Sequence, residues 1–225
     1  MKNIKKSITV VVCLISFVSF AQRIDISLEK DNISKEDEII YYKSDIFTGQ
    51  MFENHENGQL KYEIEVEDGI LVGNRSYYDD GQLRGKQTQF KEEDYYKNGQ
   101  LRRKAHYNQD GKQDGLLEKY FEDGRLNYKY NYKDGKKDGV YETYNENGDL
   151  DYKTYYKGGV QNGAFEMYDK NGQLSSKGYY KNNKLDGLWE HFYEDGKKWT
   201  ENYSDGKKVG IENWYFKNGQ LASSA

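Results

Sequence analysis

Apolar side chains fall on alternate positions through most of the chain. Leu60, Tyr62, Ile64 and Val66 form one such run, Leu126, Tyr128, Tyr130 and Tyr132 another, and Leu150, Tyr152, Thr154 and Tyr156 a third. Asn127, Lys129 and Asn131 occupy the places between. A beat of two puts successive side chains on opposite faces of a strand, whereas a helix needs a beat near 3.6. The pattern predicts half-buried strands. Val140-Tyr141-Glu142-Thr143-Tyr144, Ala164-Phe165-Glu166-Met167-Tyr168 and Leu188-Trp189-Glu190-His191-Phe192-Tyr193 are also β-prone, but their aromatics fall on both parities. Those strands are expected to be covered on both sides.

The strands belong to a repeat. Asn/Asp-Gly-x-Leu recurs at Asn57-Gly58, Asp80-Gly81, Asn98-Gly99, Asp123-Gly124, Asn147-Gly148, Asn171-Gly172 and Asn218-Gly219, with Asp195-Gly196 a degenerate copy. The steps between these glycines are 23, 18, 25, 24, 24, 24 and 23 residues. A second glycine keeps the same beat at Gly49, Gly73, Gly115, Gly139, Gly163, Gly187 and Gly210. Each unit thus has two turns and two strands. Asn-Gly and Asp-Gly suit the positive φ of tight hairpin turns. The other turn, as in Asp134-Gly135-Lys136-Lys137-Asp138-Gly139, reads as longer, with a bulge or a close approach of backbones at its second glycine. No connection within the repeats is long enough for a crossover, so the sheet should be antiparallel throughout. The short step from Gly81 to Gly99 reads as a shortened hairpin that has lost residues near Thr88 to Glu93.

The fold class is therefore all-β: an elongated antiparallel meander or solenoid of tandem hairpins of about 24 residues. One hairpin is marginal in water, so each unit must lean on its neighbours. The array is expected over residues 47–225. Residues 22–46 read as an irregular N-terminal cap with a strand at Ile39 to Tyr42; Ser34-Lys35-Glu36-Asp37 offers a helix-capping match.

Residues 1–21 read as a signal peptide. Lys2, Lys5 and Lys6 precede an apolar run from Ile8 to Phe20, and the small residues Ser19 and Ala21 come before Gln22. That run is shorter than the roughly 20 residues a membrane-spanning helix needs. A lipoprotein signal at Cys13 is disfavoured by Val10, Val11 and Val12, which are not the small residues its processing requires. Without the leader the formal net charge moves from −4 to −7, and the only cysteine is gone. Nucleic acid is excluded as a partner on charge, and disulfides do not contribute. With few aliphatic residues, 23 tyrosines and 9 phenylalanines must supply the apolar area.

Candidate chemistry is sparse. His55, His106 and His191 lie in separate repeats without ligand-spaced companions, so no metal is expected. Glu118, Glu142, Glu166 and Glu190 recur at equivalent positions, the mark of a structural role rather than of an acid–base pair. No nucleophile elbow or phosphate loop is present. No cofactor is expected, and the reading is non-enzymatic. Lysines gather at one set of turns (Lys112, Lys136, Lys137, Lys184, Lys207, Lys208), but aspartates share those turns and are expected to neutralise them. An aromatic ladder runs through the repeats; its main role is expected to be packing, with Tyr132, Tyr156, Tyr180, Trp189 and Trp214 as candidate partner contacts.

Tyr179-Tyr180-Lys181-Asn182-Asn183-Lys184-Leu185-Asp186-Gly187-Leu188-Trp189, followed by Phe192-Tyr193-Glu194-Asp195-Gly196, resembles the bacterial variant of the MORN (membrane occupation and recognition nexus) repeat. The resemblance covers about Thr48 to Leu221. It implies a β-hairpin array, often found in multi-copy paralogues labelled as antitoxins of toxin–antitoxin pairs; eukaryotic relatives are associated with membranes and scaffolding. The function expected is an exported, secreted or periplasmic protein-interaction or scaffold module of the antitoxin or immunity kind. A module binding cell-envelope glycan or lipid is the alternative.

Overall fold

The computed structural model describes residues 22–225; the expected leader over residues 1–21, with Cys13, lies outside the described residues. The chain forms one open sheet of 18 strands and a separate sheet of three. From Gly49–Asn54 to Leu221–Ser224 the strands pair antiparallel in sequence order, with Leu174–Lys181 pairing both Lys184–Leu185 and Gly187–Phe192. Neighbours in sequence are thus neighbours in space, as hairpins with short connections dictate.

One pairing departs from the antiparallel expectation. Gln22–Asp25 adds to the sheet parallel to Gly49–Asn54, with Ile24 opposite Met51. The crossover that the repeats lack is supplied by residues 26–48. They run through a one-turn helix, Ile26–Glu29, a 3-10 turn, Lys30–Asn32, and the small sheet Ile33–Glu36, Ile39–Tyr42 and Asp45–Ile46. Ser34 lies within a strand and Asp37 opens the turn after it, so the capping match does not start a helix. The excursion buries Ile24, Ile40, Phe47, Met51 and Val66 in one apolar cluster over the first hairpin.

The two kinds of turn exchange the roles expected of them. At the Asn/Asp-Gly corners only the glycine takes positive φ: Gly58 donates to the His55 carbonyl, and the His55 N–H to the Gln59 carbonyl. This is a three-residue type I turn closed by a left-handed glycine bulge. The Asn57 side chain accepts from the Gln59 N–H at 3.0 Å, as Asp80, Asn98, Asp123, Asp195 and Asn218 do in their own turns. Two-residue turns with both φ positive stand at the opposite rim, at Asp68-Gly69, Asp134-Gly135, Gly158-Gly159, Asn182-Asn183 and Asp205-Gly206. Their mirror-image geometry matches strand twist.

The second glycine of each unit sits inside a strand, not in a turn. Pairing slips between Tyr130/Tyr141 and Tyr132/Lys137, and again between Thr154/Phe165 and Tyr156/Gln161. Gly139 and Gly163 stand at these bulges with φ of 113° and 143°. A Cβ on Gly163 would approach the Tyr155 Cβ to 2.7 Å, so the site demands a bare backbone. The bulge brings the rims of adjacent units together: the N–H groups of Gly135, Gly159, Asn183 and Gly206 donate to the carbonyls of Gln113, Lys137, Gln161 and Leu185 in the preceding unit. In the short step, Leu83–Thr88 and Lys91–Tyr95 remain a hairpin, joined by Gln89-Phe90.

Candidate interaction faces

Cross-strand partners share a face, so the registers assign each side chain to one side of the sheet. On one side a single rung runs Glu63, Arg75, Lys86, Glu93, Lys104, Glu118, Lys129, Glu142, Lys153, Glu166, Lys177 and Glu190, strand after strand. From Lys86 onward the sign alternates without a break. Glu142 is held between Lys129 at 2.7 Å and Lys153 at 3.4 Å, and Glu190 between Lys177 and Lys198, both at 2.8 Å. Two residues along, Tyr144 and Tyr168 donate to Glu142 and Glu166. These tyrosines account for the aromatics of opposite parity: the polar tip serves the charge ladder, and among the described residues no second layer covers this side.

Burial alone would raise the Glu93 carboxyl. Hydrogen bonds from Lys86, Lys91 and Tyr95 outweigh it and hold the group at about 2. Glu92, Glu142 and Glu190 are likewise held below the ordinary carboxylate value despite burial, by Tyr107 and Arg103, by Lys129 and Tyr144, and by Lys177 and Lys198. Glu93, Glu142 and Glu190 of the ladder therefore stay ionised at neutral pH.

The other side carries the aromatics in three parallel rows. The central row runs Leu117, Tyr130, Tyr141, Thr154, Phe165, Gly178, Trp189 and Glu201. Thr154 is 1% exposed and Trp189 6%, although among the described residues no second sheet lies over them. The flanking rows provide the cover. One holds Tyr128, Tyr152, His191, Trp199 and Trp214; the other holds Tyr132, Tyr156, Tyr180 and Tyr203, which stand opposite Gly115, Gly139, Gly163 and Gly187. Ring contacts follow the rows: Tyr130 stacks on Tyr141 with centroids 4.0 Å apart, Phe165 and Tyr180 flank Trp189, and His191 stacks on Trp199 at 4.1 Å. With a sunken central row and raised flanks, this face is an aromatic trough.

The candidate contacts divide accordingly. Tyr132, Tyr156, Tyr180 and Trp214 are half-buried on the flanks, whereas Trp189 lies beneath them against Gly178. The histidines are occupied in place: His55 Nε2 lies 3.1 Å from the Tyr77 carbonyl, His106 Nδ1 2.8 Å from the Leu116 carbonyl, and His191 between Ser176 and Glu201. Among the described residues, no group of three or more His, Cys, Asp or Glu side chains is placed to hold a metal. No helix of the described residues is long and apolar enough to cross a membrane. The rim aspartates act on the backbone: Asp114 accepts from the Asp134 N–H and Asp138 from the Gly158 N–H. Sequence reading missed the trough and the lysine rungs. The spacing of 11 residues from Glu118, Glu142 and Glu166 to Lys129, Lys153 and Lys177 would have revealed the latter.

Seven segments of the chain, residues 47–68, 91–109, 113–134, 137–157, 161–182, 185–205 and 208–225, match the family described as MORN repeat variant. The chain belongs to that family. Each matched segment of this MORN array takes in one corner and the strands on either side of it. No curated protein matches the chain. Among solved structures, the MORN array is similar to a chain of the Photorhabdus luminescens Tc holotoxin pore at 11% identity and a TM-score of 0.18, over 81% of this chain. It spans 12% of that chain's length.

Proposed function

We propose that the protein is exported and acts as a non-enzymatic interaction or scaffold module of the antitoxin or immunity kind, receiving a protein partner in the aromatic trough. The observation that carries this reading is the trough itself. Its tyrosines and tryptophans offer rigid, amphipathic contact area that loses little side-chain freedom on binding. Tyr132, Tyr156, Tyr180 and Trp214 are the contact residues in this reading, and Trp189 is the support beneath them. A photo-crosslinking amino acid at position 156 should trap a single protein species, and one at position 151, on the charge-ladder side, should not. No adduct from position 156, or equal adducts from both, would count against the trough. Export predicts that protein recovered from outside the cytoplasm begins at Gln22; a mature chain retaining the leader would refute it.

A second reading, binding of cell-envelope lipid or glycan, is favoured by one observation on the opposite side. Lys133, Lys136, Lys157, Lys181 and Lys207 line its rim and make no ion pair among the described residues. Beside them Tyr179 and Leu188 are 46% and 50% exposed. Clustered lysines next to apolar side chains suit anionic headgroups. Co-sedimentation with anionic vesicles, abolished by salt, would favour this reading over the first.

A further inference from the structure

We propose that the trough is selective for an acidic, extended segment of its protein partner, whose carboxylate pairs with Lys137. The inference rests on the trough being the interaction face, and it names what that face selects. The Lys137 Nζ lies 4.2 Å from the centroid of the Tyr130 ring, 5.0 Å from Tyr156 and 5.4 Å from Tyr141. It is drawn into the aromatic face and makes no ion pair or hydrogen bond among the described residues. Burial pushes its amine below the ordinary lysine value, the cost of leaving water without a counter-charge. Ring faces return part of that cost, and a carboxylate would return more.

The repeat provides its own comparison. The equivalent positions are Gln113, Gln161, Leu185 and Lys208. Gln161 donates to the Thr154 hydroxyl at 2.8 Å, and Lys208 is paired with Glu201 and Glu212. Those head groups are satisfied from within the array; that of Lys137 is not. The nearest aspartate in sequence, Asp138, is committed to the Gly158 N–H at the rim. On both sides of Lys137, Tyr128, Tyr132, Tyr152 and Phe165 continue the aromatic surface. An acidic side chain over Lys137 with apolar neighbours in the same segment matches that layout.

The test is selection of a phage-displayed random peptide library on the purified protein, followed by solution affinities of the enriched peptides. Peptides with an Asp or Glu among apolar residues should emerge, and changing that acid to its amide should weaken binding at least about tenfold. Lys137→Gln should remove the preference for acid over amide while leaving the thermal midpoint unchanged, because glutamine already stands at two equivalent positions. Lys137→Glu should turn the preference toward basic peptides. Enriched peptides without a required acid, or an acid preference that survives Lys137→Gln, would overturn the assignment and leave the trough standing as an interaction face. Selection of no peptide at all would overturn both.

Discussion

At the scale of single residues, the array depends on where bulk is withheld. Gly178 lies in the central row with an ordinary extended backbone, and it is bare because a Cβ there would overlap the Trp189 indole. The tryptophan takes the volume of two side chains, which is why it is buried between Phe165 and Tyr180. Gly178→Ala should therefore cost about 1–3 kcal/mol through forced displacement of the ring. A urea midpoint equal to that of the parent would refute the packing. This arrangement was only half legible in the sequence. Trp189 stands out as a large aromatic in a β-prone segment, but its burial follows from its register against Gly178, and register is a relation between strands. The turns posed the same difficulty. Asp68-Gly69 and Asp80-Gly81 are the same dipeptide, yet the first makes a two-residue turn with both φ positive and the second a three-residue turn with only the glycine positive. What separates them is how many residues lie between paired positions, which composition does not record.

At the scale of the hairpin, no unit is complete. Glu142 takes one lysine from the strand before it and one from the strand after it, and Tyr141 packs against Tyr130 on one side and Tyr152 on the other. A peptide spanning residues 139–162 keeps only half of each set and should be unfolded; a dispersed amide spectrum would contradict this. The shared ladder also sets the pH response. Glu93 is held at about 2 against an ordinary 4.5. A depressed carboxyl stabilises the fold above its unfolded value, and that contribution is lost as pH falls from 4.5 toward 2. Tyr62 and Tyr120 are pushed up to about 12, by burial together with Glu53 and Glu118 respectively. Raised groups stabilise below their unfolded value of 10, and the gain disappears as pH climbs from 10 to 12. Thermal midpoints should thus form a plateau between about pH 5 and pH 10 with a fall on each side. A midpoint unchanged at pH 3 would show that the ladder contributes little. The strand beat, the repeat length and the strand at Ile39–Tyr42 were all readable at this scale, because each is a local pattern. The parallel strand Gln22–Asp25 was not, since four residues carry too little periodicity to reveal a partner beyond residue 48.

At the scale of the whole molecule, the alternation of charge amounts to a parity rule. Removing one strand would set lysine against lysine or glutamate against glutamate at the join, whereas removing two restores the order. Between Lys86 and Glu190, an internal change of length keeps the alternation only when strands are lost or gained in even numbers. Deleting residues 139–162 joins Asp138 to Gly163, so the bulge glycine is replaced by its own counterpart and Lys129 comes to face Glu166. That shortened protein should still unfold cooperatively in a calorimeter, while deletion of a single strand should not; a broad transition for the first would break the rule. The alternation begins inside the chain's own irregular stretch, where Arg75 still faces Lys86. Between Gly81 and Gly99 residues are missing, yet both strands survive in trimmed form and Lys86 still meets Glu93. The deficit was divided between two strands, and the count stayed even.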